Sequence, residues 1–171
     1  MKKKYFPIFI DISERNVVVI GGGVIASRRI KTLSEFCGQI TVVAPEITPL
    51  LEELETEKKI IWRKEVYHKD VIYHADMVLA ATNQPDINRQ IKKDCQEIQS
   101  ETGKQIIFNA IDDRTACDFY FPSIVWSEDV VVGINSSGAS PKKTKEVRKQ
   151  IEELLESETI YNTECNEKSG C

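Results

Sequence analysis

The feature that most constrains the fold of this sequence is a glycine-rich turn between an apolar run and a helical pattern. Four consecutive β-branched residues, Val17–Ile20, are followed directly by Gly21, Gly22 and Gly23 and then by Ala26. A continuous apolar run of this length is typical of a parallel strand that is buried on both faces. A strand, then G-x-G-x-x-A, then a helix is the context that the dinucleotide-binding turn of a Rossmann-type fold requires.

The chemistry of this turn suits a pyrophosphate. Glycines allow backbone N–H groups to approach the phosphates closely, and the start of the following helix adds partial positive charge. We therefore predict that Gly21, Gly22 and Gly23, together with Val24 and Ile25, bind the pyrophosphate of a dinucleotide. The alternative is a glycine-rich turn without a ligand, and the motif alone does not define a reaction.

The rest of the chain predicts an α/β fold, with a Rossmann-type parallel sheet, helices on both faces, and then a small segment of strands and a helix. The predicted parallel strands are Tyr5–Ile12 at an edge, Val17–Ile20, Ile40–Val43, Ile60–Trp62, Met77–Ala81 and Gln105–Phe108. The predicted helices follow Gly23, span Pro49–Glu57, start at Pro85 and start at Pro141, which Ser140 caps. Phe119–Phe121 and Val130–Ile134 predict an antiparallel pair. We assign residues 1–112 to the dinucleotide-binding domain and predict that residues 158–171 form a disordered tail.

Composition excludes several classes of protein. A formal net charge of −4 gives no general attraction to nucleic acid or to anionic membranes. No apolar run approaches the roughly 20 residues of a membrane helix, so we expect a cytoplasmic protein without a nucleic-acid or membrane partner. The five cysteines form no CxxC pair, and His68 and His74 have no further ligands arranged around them. We therefore predict no metal site.

Two later strand ends supply further candidates for cofactor contacts. The acid that holds the ribose in many NAD sites stands here one position late, as Glu46 after Pro45. No arginine stands there to meet a 2′-phosphate, so the sequence favours NAD over NADP, with backbone contacts from Pro45 and Glu46. Thr82 and Asn83, after the fourth strand, either contact the cofactor or form a polar turn.

Polar residues further along the chain are candidates for the chemistry. Asp112 follows the fifth strand, where a carboxylate is able to take a proton during an oxidation. An Asp112-Asp113 pair is also common in solvated turns. Ser136 and Ser137 lie in a hydroxyl-rich loop before a helix, which suits either an anionic ligand group or a simple helix cap.

Taken in order, these motifs resemble the precorrin-2 dehydrogenases, a family that includes the amino-terminal module of siroheme synthases. The resemblance extends over almost all of residues 5–155. The matching segments are Pro7–Phe9, Gly21–Gly23, Ala26, Arg28-Arg29, Thr41–Pro45, Ala80–Thr82, Asn88, Asn109–Asp112, Phe119–Ser123, Ser136–Pro141 and Arg148.

The resemblance implies a function. A hydride would pass from precorrin-2 to NAD, and loss of a proton would yield sirohydrochlorin. Asp112 would be the acid/base, Ser136 and Ser137 would lie beside the tetrapyrrole, and residues 113–157 would form the contact of a homodimer and part of the substrate site. Because precorrin-2 is a polycarboxylate, Arg114 is a candidate substrate contact, as are Arg28, Arg29 and the basic segment 142–148.

Two alternatives remain at this point. The chain is a non-catalytic Rossmann module that senses a dinucleotide or holds a tetrapyrrole, or it is a bifunctional dehydrogenase and ferrochelatase, as some members of the family are. The sequence offers no convincing group of iron ligands and ends soon after the helix that Pro141 starts, so we expect weak or no chelatase activity.

Overall fold

The structure of the protein is a computed structural model that describes residues 6–127, 130–137 and 140–168, with side chains as far as Leu155. The chain divides into two compact units. The first consists of Phe6–Phe119, and the second contains the described residues from Tyr120 onward.

A five-stranded parallel sheet forms the centre of the first unit, with the strand order β3-β2-β1-β4-β5. The strands are β1 Val17–Ile20, β2 Ile40–Val43, β3 Ile61–Arg63, β4 Met77–Ala80 and β5 Ile107–Ala110. In the register of the sheet Ile20 lies beside both Val43 and Ala80, and Ala80 lies beside Ala110. The carboxyl ends of these strands therefore meet at one edge. The strand order reverses direction at β1, which is where open α/β sheets bind ligands.

Helices cover both faces of the sheet, as the sequence predicted. They are α1 Val24–Leu33, α2 Pro49–Thr56 and α3 Pro85–Thr102, with short 3-10 turns at Lys69–Ile72 and Arg114–Ala116. On one face, alternate strand residues pack against buried residues of α3; this cluster includes Val18, Ile20, Val78, Ala80, Phe108, Ile91, Cys95 and Ile98. The intervening residues Val17 and Val19 are fully buried on the other face, where Ala26 and Ile30 of α1 are also buried.

The second unit contains two antiparallel strands and a long helix. Strand β6 Ser123–Ser127 pairs with β7 Val130–Ile134, and Val125 lies opposite Val132. Helix α4 spans Pro141–Lys168. Its first turn is capped by Ser140, because the backbone N–H of Lys143 donates to Ser140 Oγ at 3.3 Å.

Two predicted strands are wrong. Residues 6–12 form neither a helix nor a strand, and Pro7, which lacks an N–H donor, interrupts the segment. Phe119–Phe121 is not a strand either, since the second unit's first strand begins only at Ser123. The residues just before Tyr120 instead bind the edge of β5. Asp118 accepts from the N–H of Phe108 at 2.8 Å, and the carbonyl of Phe119 accepts from Asn109 Nδ2 at 2.8 Å.

Other element boundaries differ by a few residues. Strand β5 begins at Ile107, two positions later than predicted, and α1 ends at Leu33 before reaching Cys37. Helix α4 runs to Lys168 and so includes most of segment 158–171, where the sequence predicts a disordered tail. The predicted division into residues 1–112, 113–157 and 158–171 stays a prediction.

Candidate functional site

A cleft of about 940 Å³ opens at the carboxyl edge of the parallel sheet. It lies within the first unit, and its walls come from the ends of β1, β2, β4 and β5 and from the segment after β3. The cleft brings together every residue that the sequence analysis predicted to contact the cofactor, and it also includes Asp112. The predicted cofactor residues in the cleft are Gly21, Gly22, Gly23, Val24, Ile25, Pro45, Glu46, Thr82 and Asn83.

Two of the three glycines are required by close approach of the backbone. Gly21 has a φ of 117°, and a Cβ there would lie 2.4 Å from the carbonyl oxygen of Ala81. A Cβ on Gly22 would lie 2.3 Å from the carbonyl oxygen of Glu46. These two positions therefore let the turn after β1 pass tightly between the ends of β2 and β4.

Gly23 differs, because its side-chain position faces open space. A Cβ built there meets no protein atom within 4 Å. Gly23 precedes α1, whose first turn contains no acidic residue, and no side chain caps the helix. The N–H of Ser27 donates to the carbonyl of Gly23 at 2.9 Å, so the N–H groups of Val24 and Ile25 precede the first intrahelical bond. Free space beside these donors at a helix start fits a pyrophosphate.

The end of β2 forms the neighbouring wall. The N–H of Gly21 donates to the carbonyl of Val43 at 2.9 Å, and Pro45 and Glu46 follow as exposed residues on the cleft wall. An arginine stands at the end of the adjacent strand β3, where Arg63 is in register with Val43. Its Nε lies 2.5 Å from Glu65 Oε1, and Arg63 is outside the described lining of the cleft.

A buried amide connects two sides of the cleft. Asn88, in the first turns of α3, is only 3% exposed. Its Oδ1 accepts from the N–H of Thr82 at 3.3 Å and from the Thr82 hydroxyl at 2.8 Å. Its Nδ2 donates to the carbonyl of Thr82 at 3.2 Å and to Asp112 Oδ1 at 2.9 Å. The sequence analysis had noted Asn88 only as part of a family resemblance and had not predicted these contacts.

The two adjacent aspartates have different surroundings. Asp112 lines the cleft with an exposed side chain. Asp113 instead caps the 3-10 turn by accepting from the Thr115 hydroxyl at 2.6 Å and from the Thr115 N–H at 2.8 Å. These two hydrogen bonds lower the pKa of Asp113 below its usual value. Arg114 begins the same turn and is exposed, outside the described lining of the cleft.

The segment after β3 supplies a wall that the sequence analysis missed. Val66 lines the cleft although its side chain is 70% exposed, and Tyr67 follows it. The Tyr67 hydroxyl donates to Asp94 Oδ2 at 2.6 Å, and Gln90 Nε2 donates to Asp94 Oδ1 at 2.8 Å. Burial, followed by the Asp94 bond, raises the pKa of Tyr67. The sequence signal for this wall was the apolar-aromatic pair Val66-Tyr67, which begins three positions after the end of β3.

The predicted substrate contacts of the second unit lie in its loop before α4. Ser136 Oγ accepts from the N–H of Ser140 at 3.3 Å, while Ser137 has a φ of 53° and donates from its N–H to Asn135 Oδ1 at 2.6 Å. Within the basic segment, Arg148 pairs with Glu152 at 2.7 Å on the same helix. The loop geometry is thus that of a helix entry, and roles for Ser136 and Ser137 stay predictions.

Arg29, a candidate substrate contact in the sequence analysis, contacts a side chain on β5. The Arg29 guanidinium donates to Asn109 Oδ1, and burial lowers the pKa of Arg29.

In the part of the chain that the structure describes, no three His, Cys, Asp or Glu residues form a group that is able to hold a metal ion. Across the same residues, no helix combines the length and the apolar character needed to cross a membrane.

Comparison with known proteins identifies the family. A family model described as "Putative NAD(P)-binding" matches residues 8–123. The precorrin-2 dehydrogenase of Bacillus subtilis is 31% identical over 154 residues, which cover 90% of this chain and 91% of that protein. The chain belongs to the precorrin-2 dehydrogenase family. The resemblance inferred from the motifs is therefore confirmed.

Other members of the precorrin-2 dehydrogenase family show how this chain relates to longer proteins. The siroheme synthase of Mannheimia succiniciproducens is 32% identical over 151 residues, covering 88% of this chain but 30% of that protein. This chain thus spans about 30% of the length of such siroheme synthases. The solved structure of SirC, precorrin-2 dehydrogenase, matches with a TM-score of 0.70 at 22% identity, covering 92% of this chain and 78% of that one. This match confirms the fold.

Proposed function

We propose that this protein is an NAD-dependent dehydrogenase that oxidises precorrin-2 to sirohydrochlorin. The observation that carries the proposal is that the glycine turn and the Asp112 carboxylate line the same cleft. The Bacillus subtilis precorrin-2 dehydrogenase, of which the match covers 91%, supports the same substrate.

The cofactor contacts follow from the walls of the cleft. The N–H groups at Gly23, Val24 and Ile25 would hold the pyrophosphate, with Gly21 and Gly22 giving the backbone its close approach. Pro45 and Glu46 would contact the adenosine ribose, while Val66 and Tyr67 offer the adenine an apolar wall. Thr82 and Asn83 would contact the remaining part near Asp112. When bound, NAD supplies the acceptor for the hydride that the substrate loses.

The Asp112 carboxylate takes the proton that must leave with that hydride. Oxidation of precorrin-2 removes two electrons and two hydrogens, one as the hydride and the other as a proton from the macrocycle. A carboxylate at the end of a rigid parallel strand, exposed in the cleft, is placed to accept it. Asp113 is already engaged by Thr115 and has no such freedom.

The second unit would form a homodimer contact. Large apolar side chains on β6, β7 and α4 are exposed in the single chain: Trp126 is 55% exposed, Val130 51% and Leu154 58%. Burial of such residues against a second copy would favour association. As substrate contacts we propose Arg114 in the first unit and Ser136 and Ser137 in the second, each toward a carboxylate of the tetrapyrrole, and the enzyme would act in the cytoplasm.

Incubation of the purified protein with precorrin-2 and NAD tests the proposal. We expect the absorbance of NADH to rise together with the visible spectrum of sirohydrochlorin. Tight NAD binding without turnover would instead support the non-catalytic module that senses a dinucleotide or holds a tetrapyrrole.

A further inference from the structure

We propose that Asn88 is a positioning residue that holds the Asp112 carboxylate in the orientation needed to take the proton. This inference deepens the proposed function and rests on it. It is carried by the four hydrogen bonds of one buried amide, which reach both the end of β4 and Asp112.

The orientation of the Asn88 amide is determined by its neighbours. The backbone N–H of Thr82 is only a donor, so the amide atom 3.3 Å from it must be the acceptor Oδ1. Nδ2 therefore faces the carbonyl of Thr82 and Asp112 Oδ1, both of which are acceptors. A reversed amide would place donor against donor at Thr82 and acceptor against acceptor at Asp112.

Asn88 is held more firmly than the acid it contacts. Its backbone N–H donates to the carbonyl of Gln84 at 3.1 Å at the start of α3, and its side chain is 3% exposed. The Asp112 side chain is exposed and follows the last residue of β5 by two positions. A fixed donor at 2.9 Å removes rotational freedom from this carboxylate.

The same amide also fixes the Thr82 segment that we assign to the cofactor. A purely structural role would consist of satisfying the N–H and the carbonyl of Thr82, which needs the contacts to Thr82 and not the bond to Asp112. The Nδ2 bond to Asp112 adds nothing to that role. Variants that separate the two contacts therefore distinguish positioning of the acid from support of the fold.

Asn88→Asp keeps the shape and the acceptor for the Thr82 N–H, but it replaces Nδ2, the donor to Asp112 and to the Thr82 carbonyl, by an oxygen. Asn88→Ala removes both contacts and serves as the second variant. We expect each to lower kcat about ten- to a hundredfold, the effect of one hydrogen bond to a charged group. For Asn88→Asp, which keeps the acceptor for the Thr82 N–H, the Kd for NAD should change less than about threefold. Gln90→Ala is the matched control, because it deletes an amide-carboxylate bond elsewhere on α3.

The Asp112→Ala background decides whether Asn88 acts through Asp112. There, Asn88→Ala should cost little further turnover in single-turnover NADH measurements, because the acid it positions is gone. If Asn88→Ala lowers turnover by the same factor in the wild type and in Asp112→Ala, the positioning role is overturned and the proposed function stays intact. Near-wild-type turnover of Asp112→Ala alone would overturn Asp112 as the base and, with it, the role of Asn88.

A second readout needs no turnover. In a ¹⁵N-labelled sample, one Asn88 Nδ2 proton should resonate downfield and exchange slowly with water, because it is donated to a carboxylate in a buried site. Asp112→Ala should remove that signature, whereas Asp113→Ala should keep it. An Asn88 side-chain signal that is the same in the wild type and in Asp112→Ala would overturn the inference whatever the protein's activity.

Discussion

Replacement of Gly23 by valine should abolish NAD binding in a protein that still folds. The backbone at Gly23 has φ −80° and ψ −179°, an extended conformation that β-branched residues adopt readily. No protein atom lies within 4 Å of the new Cβ. The branched side chain would instead occupy the space in front of the first N–H groups of α1, where we place the pyrophosphate.

The expected magnitudes differ sharply between stability and binding. Loss of glycine at the helix N-cap costs about 1 kcal/mol, and for a domain of this size that corresponds to a fall in Tm of roughly 3–6 °C. Loss of two hydrogen bonds from backbone N–H groups to a charged pyrophosphate costs about 3–6 kcal/mol. The Kd for NAD should therefore rise at least about a hundredfold.

Calorimetric titration with NAD, paired with thermal unfolding, measures both effects. Gly22→Ala is the contrasting variant, since its Cβ would lie 2.3 Å from a carbonyl oxygen, more than 1 Å inside the ordinary contact distance of 3.4–4 Å. It should lose stability even without ligand. Gly103→Ala, at a φ of 72° in open space, should also lose stability but should bind NAD normally. A folded Gly23→Val protein with the wild-type Kd would refute the placement of the pyrophosphate.

Three further outcomes are expected. Asp112→Ala should bind NAD normally but lose about a hundred- to ten-thousandfold in turnover, whereas Asp113→Ala should be mild; loss of NAD binding in Asp112→Ala would assign that residue to the cofactor pocket. Titration should show tighter binding of NAD than of NADP, because Ala44, Pro45 and Glu46 follow β2 with no basic residue among them, and a clear preference for NADP would contradict this inference. The Asn16 N–H, with Lys104, lowers the pKa of Asp76 below 3.8. Asp76→Asn should therefore lower Tm at neutral pH, and the difference should vanish as the pH falls through that lowered pKa.

The local sequence was enough to predict the main architecture and one side of the site. Val17–Ile20 is apolar without interruption because the strand is buried on both faces, and a side chain at Gly21 or Gly22 would meet a carbonyl oxygen in the tight turn after it. The predictions of the buried strand and of the glycine turn both rest on residues that are adjacent in the chain. For the same reason the position of Pro45, Glu46 and Thr82 in the cleft followed from where their strands end.

Tertiary structure decided the rest, because the contacts join residues that are far apart in the chain. The residues around Asn88 do not predict that its amide contacts Asp112, 24 positions later. That contact depends on the packing of α3 beside β5. Val66 lies in the cleft only because β3 pairs with β2 and the chain then passes over the sheet edge. Phe119 was predicted to lie in a strand, but its carbonyl instead accepts a hydrogen bond from the Asn109 side chain on β5. Strand pairing and helix packing create these neighbours, and local sequence preferences do not encode them.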